Sequence, residues 1–221
     1  MKKSKLLFTA IIFLLAFGKS FSQEYQLEEK TVTAIFDTPG KTKSEIFSSV
    51  NKWISLNYNS AQNVVQLNDK EAGNIIVKGI NEVVYKNLMK ELQPNNKYAQ
   101  EYSTIKFNHT IEINIKDEKF RVIYTLTDIA DQVQVNGYGE MYTLLFNLID
   151  LTGLKDEPVN KYNAYIVEKW DSPFISKKKT EKMLEMTRPV FEQVNKDIAA
   201  DLKSTIESIY QSVNSSNNDD W

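Results

Sequence analysis

The chain has no cysteine among its 221 residues, and His109 is its only histidine. Without cysteine it can form no disulfide, offer no thiol nucleophile and hold no zinc through thiolates. It also lacks the HExxH pair of zinc proteases and the GxSxG sequence that places a hydrolase serine. We therefore predict no catalytic residue, no metal and no cofactor.

An excess of basic charge is lacking too. The chain carries 27 basic and 29 acidic residues, and residues 1–22 hold four of the basic ones and none of the acidic ones, so the remainder has a net charge of −6. Proteins that bind nucleic acid through phosphates carry clustered Lys and Arg, and we predict no nucleic-acid partner. The short basic run Lys177-Lys178-Lys179 is interpreted as a solvated helix start, with contact to anionic lipid or glycan as the alternative.

The first 22 residues have the pattern of a secretory signal peptide. Lysines at 2, 3 and 5 precede an almost wholly apolar run from 6 to 17, and Ser20-Phe21-Ser22 has small residues where a signal peptidase reads. The apolar run of about twelve residues is shorter than the roughly 20 that a membrane-spanning helix needs. We predict cleavage after Ser22, no transmembrane span afterwards, and a periplasmic or extracellular location.

A short helix and the strands after it organise the chain. Thr42 and Glu45 have the spacing of a capping box, which predicts a helix over 42–57. Its apolar residues recur every three or four positions, so they form one stripe that a sheet must cover. The members of that stripe are Ile46, Phe47, Val50, Trp53 and Ile54.

The strands are predicted from β-branched runs and from alternation. A first strand is expected at 31–36, and two more near 62–68 and 73–80, whereas 81–89 fits either a longer strand or a helix. Strict alternation of apolar and polar residues over 105–116 and again over 120–127 predicts an antiparallel hairpin.

The rest of the chain reads as a lead-in, an insertion and a final helix. Residues 23–29 are interpreted as a flexible lead-in and 129–179 as an insertion. A long stripe from Val190 to Val213 predicts the last helix, with Pro189 in its first turn or at a kink. We predict one α+β domain over 23–213 and a disordered tail over 214–221.

The resulting order, β-α-β-β-β-β-α, predicts an α+β fold in which both helices pack on one face of an antiparallel sheet. Residues 30–128 resemble the domain of unknown function with a TBP-like fold found in exported proteins of Bacteroidota. The resemblance rests on three stretches: 45–54 in the first helix, 65–75 around the next turn, and the hairpin Ile111–Leu126. It implies a fold and a compartment but no catalytic residue, and the name TBP-like describes topology alone.

Two candidate chemical sites are weighed against ordinary structural roles. His109 falls on the apolar register of its strand, and the sequence has no HExxH and no second histidine, so we interpret it as a buried or edge histidine with an ordinary hydrogen bond. Asp128 and Asp131 could hold Ca²⁺ through oxygen atoms, but the acids and the glycine of a calcium loop are missing.

Five aromatic residues with polar handles fall in the predicted insertion, and such side chains suit stacking on sugars or contacts with proteins. They are Tyr138, Tyr142, Tyr162, Tyr165 and Trp170. The alternative is that these residues cover the sheet or the long helix.

The leading functional hypothesis is a non-catalytic envelope protein that binds a protein, a glycan or a peptide. The second is a carrier of an apolar small molecule or lipid, like the helix-grip proteins, which would need a gap between the sheet and the stripe from Val190 to Val213. A hydrolase that uses turn carboxylates is a third.

Overall fold

The computed structural model of the protein describes residues 24–87, 90, 94–130, 139–169 and 176–215. The predicted signal peptide and the tail beyond Ser215 therefore lie outside the described residues. No helix among the described residues is long and apolar enough to cross a membrane.

The described chain contains one six-stranded antiparallel sheet, in the order β1-β2-β6-β5-β4-β3. The strands are β1 (Tyr25–Leu27), β2 (Thr31–Asp37), β3 (Val65–Asp69), β4 (Asn74–Lys86), β5 (Tyr102–Lys116) and β6 (Lys119–Ile129). The helices are α1 (Lys43–Asn57), α2 (Ala61–Val64), α3 (Gly139–Asn147), α4 (Asp156–Lys169) and α5 (Lys177–Ser215). The predicted α+β class with an antiparallel sheet is confirmed.

Helix α1 begins where its sequence predicts. The Thr42 side chain accepts a hydrogen bond from the Glu45 backbone N–H, and the Glu45 carboxylate accepts one from the Thr42 N–H at 2.7 Å. These bonds satisfy two groups that a helix start otherwise leaves unpaired. The Thr42 hydroxyl also donates to the Glu45 carboxylate at 2.7 Å, and this bond, with the one from the Thr42 N–H, lowers the pKa of the Glu45 carboxyl, so the cap is charged at neutral pH.

The sheet buries one face and leaves the other uncovered. In β5 the side chains from Ile105 to Ile115 at odd positions are buried, and those between them are only partly covered. Helices α1 and α5 lie on the buried face, where α5 contributes Ile198, Leu202, Ile206, Ile209 and Val213, all fully buried. Val190, the first member of the predicted stripe, is only half-buried.

Polar contacts fix where α5 crosses the sheet. The Asn81 amide of β4 donates to the Asp201 carboxylate at 2.6 Å. One helical turn and a half later the Tyr25 hydroxyl of β1 donates to Glu207 at 3.2 Å. The Trp53 indole of α1 donates to the Ser208 hydroxyl at 2.9 Å. Helix α5 therefore lies on the covered face of the sheet with β4 on one side and β1 on the other.

Several boundaries differ from the sequence prediction. The expected flexible lead-in contains β1, which pairs with β2. The ambiguous stretch after residue 80 is strand as far as Lys86, paired with β5 throughout. Of the two positions predicted for Pro189, the one inside a helix that starts near Thr180 is correct, since α5 begins at Lys177; the helix continues to Ser215. Three residues of β1 are too few for an alternation to show, which explains the first error.

Gly79 is required where β4 passes under the helices. A Cβ atom there would lie 2.9 Å from the His109 ring and 2.9 Å from the Tyr58 ring. His109 is buried on the covered face of the sheet and Tyr58, directly after α1, is half-buried against it, so a methyl group at residue 79 would have to displace one of the two rings.

We expect Gly79→Ala to destabilise the fold by about 1–3 kcal/mol, because overpacking forces buried rings off their preferred positions. Urea unfolding followed by circular dichroism measures the difference. Gly139→Ala is the matched control, since nothing lies within 4 Å of its Cβ position. Equal midpoints for the two variants would contradict the account of Gly79.

Candidate binding site

A cleft of about 470 Å³ opens between α5 and the free end of the β4–β5 hairpin. We call it the helix–hairpin cleft. Its strand wall is the segment Val84–Lys86 with Tyr102, and its helix wall is formed by the residues of α5 that precede the buried stripe. The residues of the helix wall are Met186, Pro189, Val190, Gln193, Val194 and Asp197.

The cleft exists because strands β4 and β5 extend further than the strands next to them, β3 and β6. Strand β3 pairs with β4 only from Asn74 to Val77, and β6 pairs with β5 only as far as Phe107. Beyond those points β4 and β5 pair with each other and continue to Lys86 and Tyr102. Val84 and Tyr102 remain about half exposed, 54 % and 49 %. Apolar surface is thus presented next to an uncovered strand edge.

Two tyrosines with raised pKa values, Tyr85 in the lining and Tyr162 of α4, lie at the cleft or next to it. Burial raises the pKa of the Tyr85 phenol, with an opposing effect from its bond to Ser103. Burial also raises the pKa of Tyr162 to about 12, helped by the neighbouring Tyr85 and Tyr165. The Tyr162 ring meets Phe191 of α5 edge-on at 5.9 Å. Both phenols stay neutral at physiological pH, so neither of them brings a charge to the cleft.

The rim of the cleft is polar and mixed in sign, with Lys86 on the hairpin and Asp197 on the helix. Proline at 189 removes one backbone N–H from the helix interior, but the helix continues through it. An apolar lining with a few polar groups at its mouth is typical of sites that bind apolar groups and orient them from the edge.

His109 lies in the core, as predicted. Its side chain is 4 % exposed, its Nε2 is 3.1 Å from the Tyr58 hydroxyl, and its ring is 4.7 Å from the Tyr124 ring. Its Nδ1 contacts no described hydrogen-bond partner. Burial lowers its pKa to about 4 and raises that of Tyr58 to about 12. The pair is neutral and has a structural role.

A second groove, of about 520 Å³, lies between α5 and the loop after α3. Asp150 shapes that loop by accepting bonds from the Thr152 N–H at 3.0 Å and its hydroxyl at 2.6 Å, and it pairs with Lys155. Burial alone would raise the pKa of Asp150, but these bonds outweigh it and lower the pKa. The polar groups of this loop bond to each other, which makes this groove the weaker candidate.

The predicted aromatic residues do not form one exposed surface among the described residues. Tyr162 and Tyr165 are 8 % and 9 % exposed and cover the long helix, which is the alternative left open by the sequence. Tyr142 is half-buried in α3. Tyr138 and Trp170 lie outside the described residues. The partner surface assigned to these five residues stays a prediction.

Only one of the two acids of the possible calcium site, Asp128, is among the described residues. The Asp128 carboxylate accepts a hydrogen bond from the Asn108 amide at 2.5 Å, and Asp131 lies outside the described residues. Over the ranges that the structure describes, no three acidic or histidine side chains come together to hold a metal ion.

Sequence reasoning missed the helix–hairpin cleft. Its one local signal is the run Val83-Val84-Tyr85, which is apolar on both faces of a strand and so predicts cover on both. The other wall lies about a hundred residues later in the chain, and nothing in the pattern around Pro189 shows which strand it meets.

Comparison with known proteins agrees with the fold. Residues 33–131 match the family model described as a domain of unknown function (DUF4468) with TBP-like fold. No curated protein matches the chain.

Two solved structures are similar. A DUF4468 family protein from Bacteroides ovatus shares 16 % identity over 44 % of this chain, with a TM-score of 0.35, and the match spans 53 % of that protein. A TBP-like protein from Parabacteroides distasonis shares 14 % identity over 84 % of this chain and 92 % of its own length, with a TM-score of 0.40. Likeness of this degree carries no information about function.

The burial of His109 predicts a loss of stability in acid. In the unfolded chain its pKa is about 6.5, and in the fold it is about 4, so the unfolded state binds more protons between those values. Stability from this group is complete above pH 6.5 and falls by about 3 kcal/mol as the pH drops to 4. Urea unfolding at pH 7, 5.5 and 4 measures it.

His109→Gln is the control, because it keeps a polar group opposite Tyr58 without a proton to gain. The carboxylates contribute equally to both proteins, so the difference between the two pH dependences isolates His109. Parallel curves for wild type and variant would contradict the assignment.

Proposed function

We propose that this chain, which carries a DUF4468 domain at residues 33–131, is an exported binding protein without catalytic activity that holds its ligand in the helix–hairpin cleft. The observation that carries the proposal is the cleft itself. Apolar side chains from two separate elements meet there without closing, next to Val84 and Tyr102, which stay half exposed.

The chemistry of the cleft favours an apolar group of the ligand over a charged one. Tyr85 and Val190 supply contact area, and Asp197 and Lys86 stand at the rim with opposite charges. Burying a charge without a partner is strongly unfavourable, so a charged group would have to stay at the rim. Tyrosine suits this role because it combines a large apolar face with a polar tip.

The surroundings of His109 support the non-catalytic part of the proposal. Its polar neighbour is Tyr58, whose phenol is itself held neutral by burial. General acid–base catalysis requires a group that exchanges protons near neutral pH and reaches a substrate. A histidine with a pKa of about 4 on the covered face of the sheet meets neither condition.

The second candidate is a carrier of an apolar small molecule. In its favour, the volume of about 470 Å³ falls in the range of small-molecule sites, about 300–1,000 Å³. Against it, the helix stripe from Ile198 to Val213 is fully buried against the sheet, so a ligand would occupy only the open end.

The export part of the proposal is supported by the signal-peptide pattern before Gln23. Mass spectrometry of the mature protein tests it by identifying the first residue.

The binding site can be tested with N-phenyl-1-naphthylamine, an uncharged apolar dye whose fluorescence rises when it leaves water. We expect saturable binding of one dye per chain, weakened at least about tenfold in Val190→Trp, because the larger ring occupies the cleft. The control is Ser204→Trp, which adds the same ring to an exposed position of the same helix. Dye binding that is equal in all three proteins would overturn the proposed site.

A further inference from the structure

One edge of strand β4 has no partner strand beside the cleft. Strand β3 ends its pairing at Val77, and β4 continues for nine residues, from 78 to 86. Over the described residues nothing pairs with the outer side of that stretch. Edge strands with unpaired backbone groups are templates for the addition of another strand.

The hydrogen-bond pattern shows which residues face outwards. At one end of β4 the Ile115 N–H donates to the Gly73 carbonyl at 2.7 Å, and at the other the Asn87 N–H donates to the Glu101 carbonyl at 2.9 Å. In an antiparallel pair these bonds recur at every second residue. Odd-numbered residues of β4 therefore bond to β5, and the N–H and C=O groups of even-numbered residues point away from the sheet.

The outward residues form a regular series on the uncovered face of the sheet. In order they are Lys78, Ile80, Glu82, Val84 and Lys86, all exposed, with Ile80 at 58 % and Val84 at 54 %. Charged and apolar side chains alternate in this series, and the signs are positive, negative, positive. A strand that pairs with it gains most when its own series reads acidic, apolar, basic, apolar, acidic.

A second copy of the chain fits this edge poorly. Two copies can pair only with even residues opposite even ones, and the register centred on Glu82 sets Glu82 against itself and Lys78 against Lys86. Like charges directly opposite each other destabilise a sheet. The register centred on Ile80 would drive the partner's strand into the place held by Val65 of β3.

Registers centred on residues 83, 84 and 85 avoid both problems, but within the described strand they use only four, three and two of the five outward residues. Each of them therefore makes fewer backbone bonds than a strand that pairs with all five. The edge therefore favours a different chain over a copy of itself.

We propose that an extended segment of a partner protein adds to the free edge of β4 as an antiparallel strand, with the residue series acidic, apolar, basic, apolar, acidic. The inference rests on the proposed function, because the side chains on the other face of the added strand point towards α5. One of them, apolar, fills the helix–hairpin cleft beside Val84–Lys86. Backbone bonds supply affinity and the cleft supplies specificity, as in other strand-addition complexes.

The test is a selection of random ten-residue peptides displayed on phage against the purified chain. Enriched peptides are expected to show the alternating series, with a large apolar residue on the opposite face. The dissociation constant of a synthetic enriched peptide should rise about tenfold or more in Val84→Pro, since proline removes an outward N–H and blocks the edge.

The proline variant is matched by Val84→Thr, which changes the side chain and keeps the N–H. The outward N–H of residue 84 makes no bond within the sheet, so proline there is compatible with the fold, and thermal unfolding of both variants checks this. N-methylation of alternate peptide residues gives the same test from the ligand's side: one set of methyl groups should abolish binding and the other should not.

Hydrogen exchange supplies a direct readout. In the free chain the amides of Ile80, Glu82 and Val84 should exchange quickly and those of Val83 and Tyr85 slowly. Bound peptide should slow the first group by at least about tenfold and leave the second unchanged. Unchanged exchange at all five amides in the presence of saturating peptide would overturn strand addition.

The other outcomes separate this inference from the proposed function. Peptides that lose affinity in Val190→Trp but not in Val84→Pro would overturn strand addition and leave the cleft as the site. The same holds if the dye binds and no peptide is enriched. Failure of both dye and peptide overturns both proposals. Self-association that Val84→Pro abolishes would assign the edge to a second copy and overturn the partner proposed here.

Discussion

The structure depends on covering one face of the sheet with two helices, of which α5 is longer than the sheet is wide. Six strands span about 24 Å from the first axis to the last, whereas the 39 residues of α5 extend about 58 Å. The helix contacts β4 through Asp201 and β2 through Tyr210, which stacks on Phe36 at 4.5 Å. Much of the first half of α5 therefore finds its cover outside the sheet.

The elements between β6 and α5 provide that cover. Helix α4 sets Tyr162 against Phe191 and pairs Asp156 with Arg188, and the loop after α3 accepts a bond from the Asn195 amide at 3.0 Å through Leu148. This cover reaches one side of the helix only. On the side that faces the hairpin, Val190 stays half-buried, and the helix–hairpin cleft is what remains open. Its position follows from the length by which α5 exceeds the sheet, and its strand wall is the outer part of β4.

Sequence patterns predicted the parts of this arrangement that are set locally. The capping box of α1, the alternation in the β5–β6 hairpin and the stripe of α5 each need only a few turns or a strand of neighbouring residues, and each is present. Strand β1 and the outer half of β4 were missed or left open because pairing with distant residues decides them. The cleft is harder still, since Tyr85 and Val190 are each ordinary apolar residues in their own elements, and only the packing of α5 on the sheet brings them to one cleft.

The charged residues on the outer edge of β4 counteract the tendency of this long uncovered edge to aggregate. An uncovered apolar edge invites aggregation, and alternating charges on such an edge are a common protection against it. Lys78, Glu82 and Lys86 make the edge repel a copy of itself in the register that would pair the most residues. The same three charges define a complementary series that another chain could carry. Residues that keep copies of the chain apart can thus select a partner, because the free energy of adding a strand depends on all of its opposed residue pairs together.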